Sequence, residues 1–335
     1  PNFMINDTAM RTVTARGAVN DGNWHHVVGT VDSSGMQLFV DGVRVARDQR
    51  YTTPRTYTGY WRLGSDTTTS FTNRPSDAAL VGSIDEVAVT PRALTVAEVQ
   101  SHYTASGRTG SWAAQPIDAY AQAVLANSPD LFWRLGESSG TAVDASGSGN
   151  NGNVTSGLLG LTPIRGAAGA VPGDQAMTFD GSANMVVAQQ QWASPTAFTA
   201  EVWFKTNTVK GGKLIGFGSG ASGLSSSYDR HVYMLNTGKL AFGTYNGTQQ
   251  IITSPLAYND NQWHHVAATQ GADGMKLYVD GSLIGTNANT IGQTYTGYWR
   301  IGADTMWSGA TSKYFAGTLD EAAVYSTALS ENAVR

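Results

Sequence analysis

A long internal repeat constrains this chain more than any other feature of its sequence. Asp21–Gly42 reads DGNWHHVVGTVDSSGMQLFVDG, and Asp260–Gly281 reads DNQWHHVAATQGADGMKLYVDG. The match continues downstream at nearly the same offset, where Thr56–Gly64 aligns with Thr294–Gly302. A shared period of this length is typical of two copies of a whole domain and not of a solenoid of short units.

Each copy has the local chemistry of antiparallel strands. The residues after the paired histidines are rich in β-branched and aromatic side chains, which favour strands. Asp41 and Gly42 separate two such runs, and Asp280 and Gly281 repeat the arrangement. Asp-Gly favours a type I′ hairpin turn because that turn needs positive φ at both central residues. The centre of each copy is therefore predicted to be a strand, a short turn and a tight hairpin.

A third matching stretch closes both copies, where Gly82–Val89 aligns with Gly317–Val324. Taken together, the WHHV, VDG and G(S/T)(I/L)DE motifs resemble the laminin-G-like jelly roll of the concanavalin A-like lectin/glucanase superfamily. The resemblance covers nearly the whole chain. It implies an all-β fold of tandem concanavalin A-like jelly-roll sandwiches, the first represented only by its C-terminal half.

The half-domain follows from the alignment of the two copies. The offset places Pro1 opposite Leu240, so the first copy has no counterpart of the preceding part of the second. Half a sandwich leaves apolar faces and strand edges uncovered. We therefore expect upstream residues of the same polypeptide, or another chain, to complete the first copy.

Three segments are predicted on this basis. Residues 1–105 form the half-domain, and the spacing of Thr95 and Glu98 predicts a capping box at its closing helix. Residues 106–128 form a Gly/Ser linker followed by a short amphipathic helix. Residues 129–335 form the complete laminin-G-like jelly roll.

The composition excludes several classes of protein. The 335 residues are 41% hydrophobic but only 14% charged, against ~25% in an average domain. A formal net charge of −4 offers no electrostatic footprint for nucleic acid. The chain has no cysteine, which excludes disulfides and thiolate chemistry, and no apolar run near the ~20 residues of a membrane span. With the resemblance, we expect an extracellular or cell-surface location.

The paired histidines, His25-His26 and His264-His265, invite a metal-binding interpretation. Neighbouring residues of a strand point to opposite faces, so one pair cannot place both rings on one ion. A structural role is favoured, with one ring packed beside a tryptophan and the other at the surface.

Catalysis on this fold would require two carboxylates facing each other across a cleft. The sequence offers Asp85-Glu86 and Asp320-Glu321, which are adjacent and therefore expected on opposite faces, and an isolated Glu201. We predict that the protein is not an enzyme.

The resemblance implies a structural calcium ion, held by a carboxylate of the last strand and by backbone carbonyls of the amino-terminal strands. That carboxylate would be Asp320, with Asp85 as its counterpart in the first copy. The other ligands implied are Glu137, Asp180 and Gly181, with Asp144 and Asn150 in a second oxygen-rich loop. Ca²⁺ takes six to eight oxygens, which such loops supply. The alternative is that these Asp and Asn residues only form turns.

The loop after the penultimate strand differs between the copies, and only the second carries Trp307 and Tyr314. Exposed aromatic side chains on such a loop can stack on sugars or anchor a protein, so these two are the predicted ligand-binding residues. The predicted function is a non-catalytic adhesion or recognition segment of a large bacterial surface protein that binds a glycan or a surface protein. A carbohydrate-binding module of a secreted glycoside hydrolase and a structural spacer in a surface fibre or sheath are the alternatives.

Overall fold

The chain divides into two compact units, Pro1–Trp112 and Ala113–Arg335, here called unit 1 and unit 2. The computed structural model describes residues 1–15, 18–48, 50–67, 76–110, 118–155 and 163–335. The boundary between the units falls inside the segment predicted as a linker. Part of that prediction, over residues 111–117, lies outside the described residues.

Unit 1 contains a hairpin, a three-stranded antiparallel sheet and one helix. Its elements are β1 (Asn2–Asn6), β2 (Met10–Thr14), β3 (Val27–Asp32), β4 (Gly35–Val40), β5 (Val43–Asp48) and α1 (Val96–Ala105). A small core forms around Ile5, Val13, Met36 and Leu38. The predicted capping box is confirmed, because the Thr95 side chain accepts the backbone N–H of the third helical residue and that residue's carboxylate accepts the Thr95 N–H.

Residues 56–64 and 82–89, which match strand-forming residues of unit 2, do not form strands in unit 1. Within the described ranges 50–67 and 76–95, the long-range backbone pairing consists of an isolated bridge between Ser65 and Ala79 and a hydrogen bond from the Arg55 N–H to the Asn6 carbonyl at 2.5 Å. The corresponding residues of unit 2 form the strands Thr296–Ile301 and Ala316–Tyr325, which neighbouring strands flank on both sides. Among the described residues of unit 1, no strand flanks these segments, which is the physical reason for the difference.

Unit 2 is a β-sandwich. In chain order its elements are α2 (Ala119–Ala126), β6 (Leu131–Trp133), β7 (Gly152–Thr155), β8 (Ile164–Ala168), β9 (Gln175–Asp180), β10 (Met185–Ala188), β11 (Trp192–Ala193), β12 (Phe198–Lys205), β13 (Gly212–Gly218), β14 (Tyr228–Met234), β15 (Lys239–Tyr245), β16 (Gln249–Ala257), β17 (Trp263–Gly271), β18 (Gly274–Val279), β19 (Ser282–Asn287), β20 (Thr296–Ile301), β21 (Ala316–Tyr325) and α3 (Glu331–Val334).

Two eight-stranded antiparallel sheets form this sandwich. Sheet I has the order β16-β15-β14-β13-β20-β10-β7, with β11 also paired to β20, and sheet II has the order β19-β18-β17-β12-β21-β9-β8, with β6 also paired to β21. The core between them includes Phe198 and Phe204 from sheet II and Phe217, Phe242 and Trp299 from sheet I. Both sheets combine early and late strands, so the core needs both halves of the sequence. The all-β jelly-roll prediction is confirmed.

Helix α2 packs on the outer face of sheet II. Ala121 and Val124 of the helix join Phe132, Ala323 and Tyr325 of the sheet in one buried cluster. The helix begins at Asp118, whose side chain accepts the backbone N–H of Ala121 at 2.9 Å. The short helix predicted between the copies is therefore part of unit 2.

The paired histidines fix the central hairpin of unit 2. The imidazole of His264 lies 2.8 Å from Asp280 through Nδ1 and 3.1 Å from Asp260 through Nε2, so it ties the start of β17 to the hairpin turn. His265 points to the opposite face, where its ring lies 5.2 Å from that of Trp203. The opposite orientation of the two rings agrees with the structural role predicted for the pair.

The same contacts between a histidine and two carboxylates occur at the hairpin of unit 1. Nδ1 of His25 lies 2.7 Å from Asp41, and its Nε2 lies 3.0 Å from Asp21. Hydrogen bonds to these two carboxylates raise the pKa of His25 above its ordinary value.

Candidate functional site

A β-bulge in β21 determines where the acidic pair of the last strand lies. Along β12, Glu201 pairs with Ala323 and Trp203 pairs with Asp320, so two residues of β21 oppose Val202 alone. The extra residue is Glu321, whose φ is +49°. A bulge shifts the alternation of side chains by one position. The prediction that Asp320 and Glu321 lie on opposite faces is therefore wrong.

The bulge gathers three carboxylates at one point. Oxygen atoms of Asp320, Glu321 and Asp174 lie within 4.8 Å of one another, and this is the one such group of potential metal ligands in the described part of the chain. Asp174 lies just before β9. It had no motif around it, so the sequence analysis did not identify it.

One guanidinium group partly compensates the negative charge of this acidic cluster. Arg134, directly after β6, contacts Asp118 at 2.7 Å and Glu321 at 2.7 Å, and it also donates to Asp174. Asp320 instead accepts the backbone N–H of Ala170 at 2.8 Å. No local sequence motif predicts the role of Arg134, because its contact with Glu321 joins residues far apart in the chain.

Burial makes this cluster electrostatically unfavourable without further compensation. Asp320 and Glu321 are both 0% exposed. Burial raises the pKa of Asp320 to about 7 and that of Glu321 to about 9. The Oε2 atom of Glu321 is buried and has no hydrogen-bond partner. The surplus charge has to be neutralised either by protons or by a bound cation.

The cluster has the ligand chemistry of a hard cation site. Its carboxylate oxygens suit Ca²⁺, and Glu321 contributes an oxygen that no protein donor uses. The predicted ligand Glu137 lies beside this region, since the preceding residue Gly136 packs against the carboxylate of Asp174. Burial raises the pKa of Glu137. One oxygen of Glu137 accepts the N–H of Val143 at 2.7 Å, while the other is buried without a partner.

Two other predicted ligands do not join this cluster. Asp180 pairs with Ala316 in the ladder between β9 and β21, four residues along the strand from Asp320 and so roughly 13 Å away. The Asp180 carboxylate accepts the N–H of Ser182 at 2.8 Å, across a turn in which Gly181 has a φ of +76°. The expectation that Asp180 and Gly181 lie near Asp320 is wrong, because the strand register separates them.

In the second predicted loop, the side-chain oxygens of Asp144 and Asn150 accept backbone N–H groups. The buried carboxylate of Asp144 accepts N–H groups of Phe132 at 2.9 Å, Ser146 at 2.9 Å and Asn150 at 2.8 Å. The Asn150 side chain in turn accepts the N–H of Gln190 at 3.1 Å. These contacts agree with the alternative interpretation, in which Asp144 and Asn150 only form turns.

Asp85, the counterpart of Asp320 in unit 1, is exposed. Its carboxylate accepts the N–H of Glu86 at 2.9 Å. Among the residues described in that unit, Asp85 belongs to no group of three potential metal ligands.

The outer face of sheet I carries the predicted ligand-binding residues, but Trp307 is not exposed there. Its side chain is 8% exposed and lies over β14 and β15, with its ring 4.7 Å from that of His231. The predicted exposure is wrong because the loop folds back onto the sheet, where Gly243 leaves room for the indole. Tyr314 is only half-buried, and it packs with Tyr298 against Met185, Val187 and Ala303.

Polar residues that the sequence did not indicate lie in the same sheet. Lys213 donates to Nδ1 of His231 at 2.7 Å, and burial lowers the pKa of Lys213 to about 8. Arg300 and Asp304 form a buried pair at 3.3 Å. Asp304 also accepts the N–H of Ser225 at 2.7 Å, which fastens the loop before β14 to the sheet.

Two antiparallel sheets packed face to face, each combining early and late strands, form a β-sandwich of the jelly-roll kind. A laminin-G family model, described as "Concanavalin A-like lectin/glucanases superfamily", matches residues 1–100 and 179–335. The chain belongs to this family. No curated protein matches it.

Several solved structures are similar to this chain over part of its length. A heptameric SAP-like pentraxin from Limulus polyphemus is 22% identical, with a TM-score of 0.37, over 47% of this chain and 78% of the pentraxin. A Trypanosoma rangeli sialidase is 15% identical, with a TM-score of 0.44, over 67% of this chain and 33% of the sialidase. Domain 4 of an extracellular GH43 arabinanase from Geobacillus stearothermophilus is 16% identical, with a TM-score of 0.41, over 62% of this chain and 96% of that domain. Among the described residues, no helix has the length and apolar character needed to cross a membrane.

Proposed function

We propose that this chain is a non-catalytic recognition segment of an extracellular surface protein, and that unit 2 binds a glycan or a protein. The observation that carries the proposal is the pair of half-buried tyrosines, Tyr298 and Tyr314, on the outer face of sheet I. A tyrosine presents an apolar ring and a polar hydroxyl, which suits both sugar stacking and protein contacts. Membership of a lectin-type family supports the same function and an extracellular location.

The position of the acidic residues supports a binding role over catalysis. Asp320 and Glu321 are fully buried, and Arg134 occupies the space beside them. A carboxylate pair that hydrolyses a glycosidic bond must contact the sugar from both sides. The burial of Asp320 and Glu321 does not favour such contact, so a role in stabilising the fold suits the acidic cluster better.

The binding proposal can be tested with two tyrosine substitutions and a matched control. Each ring contributes about 1 kcal/mol, so the Tyr298→Ala/Tyr314→Ala double variant should bind roughly 30-fold more weakly to a glycan or protein selected in an array screen. Trp263→Ala is the control, because this half-buried ring begins β17 in sheet II. Unchanged binding by a folded double variant would place the site elsewhere.

We also propose that the acidic cluster binds a structural Ca²⁺ ion through Asp174, Asp320 and Glu321. The close approach of the three carboxylates and the unpartnered Glu321 oxygen support this assignment. The ion would supply positive charge to a site where the single guanidinium group of Arg134 faces three carboxylates. Its effect would be on the stability of unit 2, since the cluster joins β21 to the segment before β9.

A further inference from the structure

The outer face of sheet I has two glycines near its centre, both in strand β13. Gly216 pairs with Arg300 in the ladder to β20, and Gly218 follows two residues later on the same face. A side chain at Gly216 would meet Nζ of Lys213, and one at Gly218 would meet Oδ2 of Asp304. Glycine inside a strand often marks a place where a ligand or another backbone approaches closely. Here the two glycines leave room for charged groups directly over the strand.

Three buried polar atoms around these glycines have no hydrogen-bond partner in the described part of the chain. They are Nε2 of His231, Nε of Arg300 and Oδ2 of Asp304. His231 is 1% exposed, and the other two residues are fully buried. Burial and the neighbouring Lys213 hold the pKa of His231 well below its ordinary value, so this ring is neutral. Unpaired polar atoms in such surroundings cost free energy, so each of them favours a partner from outside the chain.

The same cluster has more positive than negative charge. Burial lowers the pKa of Lys213 to about 8, so this residue is still mostly protonated at neutral pH. Arg300 adds a second positive charge, and Asp304 lies 3.3 Å from it. The nearby Asp229 also attracts Lys213 but is paired with Arg230. One buried positive charge is therefore without a carboxylate of its own, which is unfavourable unless an anion joins it.

A loop of residues 219–227, here called the covering loop, lies over this cluster. The loop is rich in glycine and serine, and its tip is exposed. Arg300 donates to the backbone carbonyls of Gly220 and of Gly223, the latter at 2.7 Å, and Asp304 holds the loop through the contact described above. Carbonyl oxygens thus occupy the positions on Arg300 where oxygen atoms of a ligand can take their place.

The cluster adjoins the two tyrosines proposed to bind a ligand. Tyr298 and Arg300 point to the same face of β20, because alternate residues of a strand share a face. Tyr314 pairs with Ala303, the residue before Asp304. A chain of sugars that lies on the tyrosines would therefore reach the covering loop.

We infer that the ligand of unit 2 is an acidic glycan, and that one of its carboxylates binds Arg300 and Lys213 beneath the covering loop. This inference rests on the proposed binding function of the outer face of sheet I. A guanidinium group binds a carboxylate through two parallel hydrogen bonds, and an ammonium group adds a charge-assisted one. The carboxylate balances the surplus positive charge, while a neighbouring sugar hydroxyl donates to Oδ2 of Asp304.

The test compares each acidic sugar with an uncharged form of itself. Isothermal titration calorimetry of the full chain is carried out with oligosaccharides of galacturonic, glucuronic and mannuronic acid and with their methyl esters, which keep the ring and the linkage but lose the charge. We expect at least one acid to bind at least about tenfold more tightly than its ester, the effect of one charged hydrogen bond.

Two variants locate the preference for the acid. Lys213→Met should remove it while unit 2 still folds, because a hydrophobic side chain of similar volume often replaces a buried charge at little cost. Arg300→Lys keeps the charge but loses the paired hydrogen bonds, so it should also bind the acid at least about tenfold more weakly. Lys276→Met is the matched control, since it removes a lysine from β18 in sheet II. Calorimetric melting shows that each variant retains the unit 2 transition.

Each outcome decides the question. Binding selective for the acid that is lost in Lys213→Met or Arg300→Lys and kept in Lys276→Met supports the inference. Equal binding of acids and esters, or no binding of any acid, overturns it. Binding of a neutral glycan that depends on Tyr298 and Tyr314 but not on Lys213 overturns the acidic ligand and leaves the proposed function intact. Acid binding that depends on Lys213 but survives the double tyrosine substitution supports the carboxylate site and contradicts the proposed tyrosine surface.

Discussion

Trp299 and Trp61 occupy equivalent positions in the repeat but have opposite environments, so the same substitution can be made in both. In unit 2 the ring of Trp299 lies 5.5 Å from that of Phe198 and 5.3 Å from that of Phe217, in the middle of the sandwich. In unit 1 Trp61 is largely in contact with solvent. The perturbation is Trp299→Ala, with Trp61→Ala as its matched control.

The expected magnitude follows from burial. A tryptophan side chain buries roughly 150–250 Å², which at ~25 cal/mol per Å² corresponds to about 4–6 kcal/mol. Truncation of buried Phe or Trp to Ala typically costs about 3–5 kcal/mol, since the core relaxes only partly around the cavity. We therefore expect Trp299→Ala to lower the free energy of unfolding of unit 2 by about 4 kcal/mol. For a domain of this size the melting temperature should fall by roughly 8–16 °C.

Differential scanning calorimetry of the full chain provides the assay, because it does not depend on tryptophan fluorescence. Trp61→Ala should leave the unit 2 transition within about 0.5 kcal/mol of that of the parent protein, as expected for an exposed position. A loss below about 1 kcal/mol for Trp299→Ala would refute the assigned core. An equal loss for the two variants would refute the difference in environment between the units.

Two further predictions concern charged residues. If the acidic cluster binds Ca²⁺, removal of the ion by a chelator should lower the melting temperature of unit 2 by roughly 5–11 °C, the effect of losing a ligand present at ~100 times its Kd. Asp320→Asn should abolish this response and Asp180→Asn should retain it, whereas identical melting curves with chelator and with Ca²⁺ would rule the ion out. Because two carboxylates raise the pKa of His25, an NMR titration should give a value above ~6.5. The stabilisation from protonated His25 is then fully present below pH ~6.5 and is lost as the pH rises through the raised pKa. Asparagine tolerates the positive φ of the turn, and Asp41→Asn should lower the pKa of His25, whereas Asp32→Asn should not. An unchanged pKa of His25 in Asp41→Asn would contradict the contact between His25 and Asp41.

The sequence predicted the features that depend on local chemistry. Asp280-Gly281 specifies its hairpin because few residue pairs accept positive φ at both positions. Thr95 and Glu98 specify a helix start because each satisfies a backbone N–H of the other. The repeat itself predicted the all-β fold, since both copies carry the alternating runs and the hairpin turn of antiparallel strands.

Features that depend on distant parts of the chain could not be predicted. Nothing in the residues around Glu321 signals a positive φ, so the alternation rule placed its side chain on the wrong face. The contact of Arg134 with Glu321 and Asp174 depends on the register of β6, β9 and β21. Trp307 was predicted to be exposed because its loop sequence contains no indication that the loop folds back over β14 and β15.

The interleaving of strands in sheet II also determines the order in which the domain can form during synthesis. Strand β12 lies between β17 and β21, both of which follow it in the chain. A ribosome adds roughly 5–20 residues per second, so β12 waits on the order of ten seconds for β21 to emerge. Throughout that interval both edges of β12 are unpaired, so any strand with a matching alternation of side chains can pair with them. In an array of similar copies the nearest such strand belongs to the preceding copy, so misassembly between neighbours competes with correct folding of each domain.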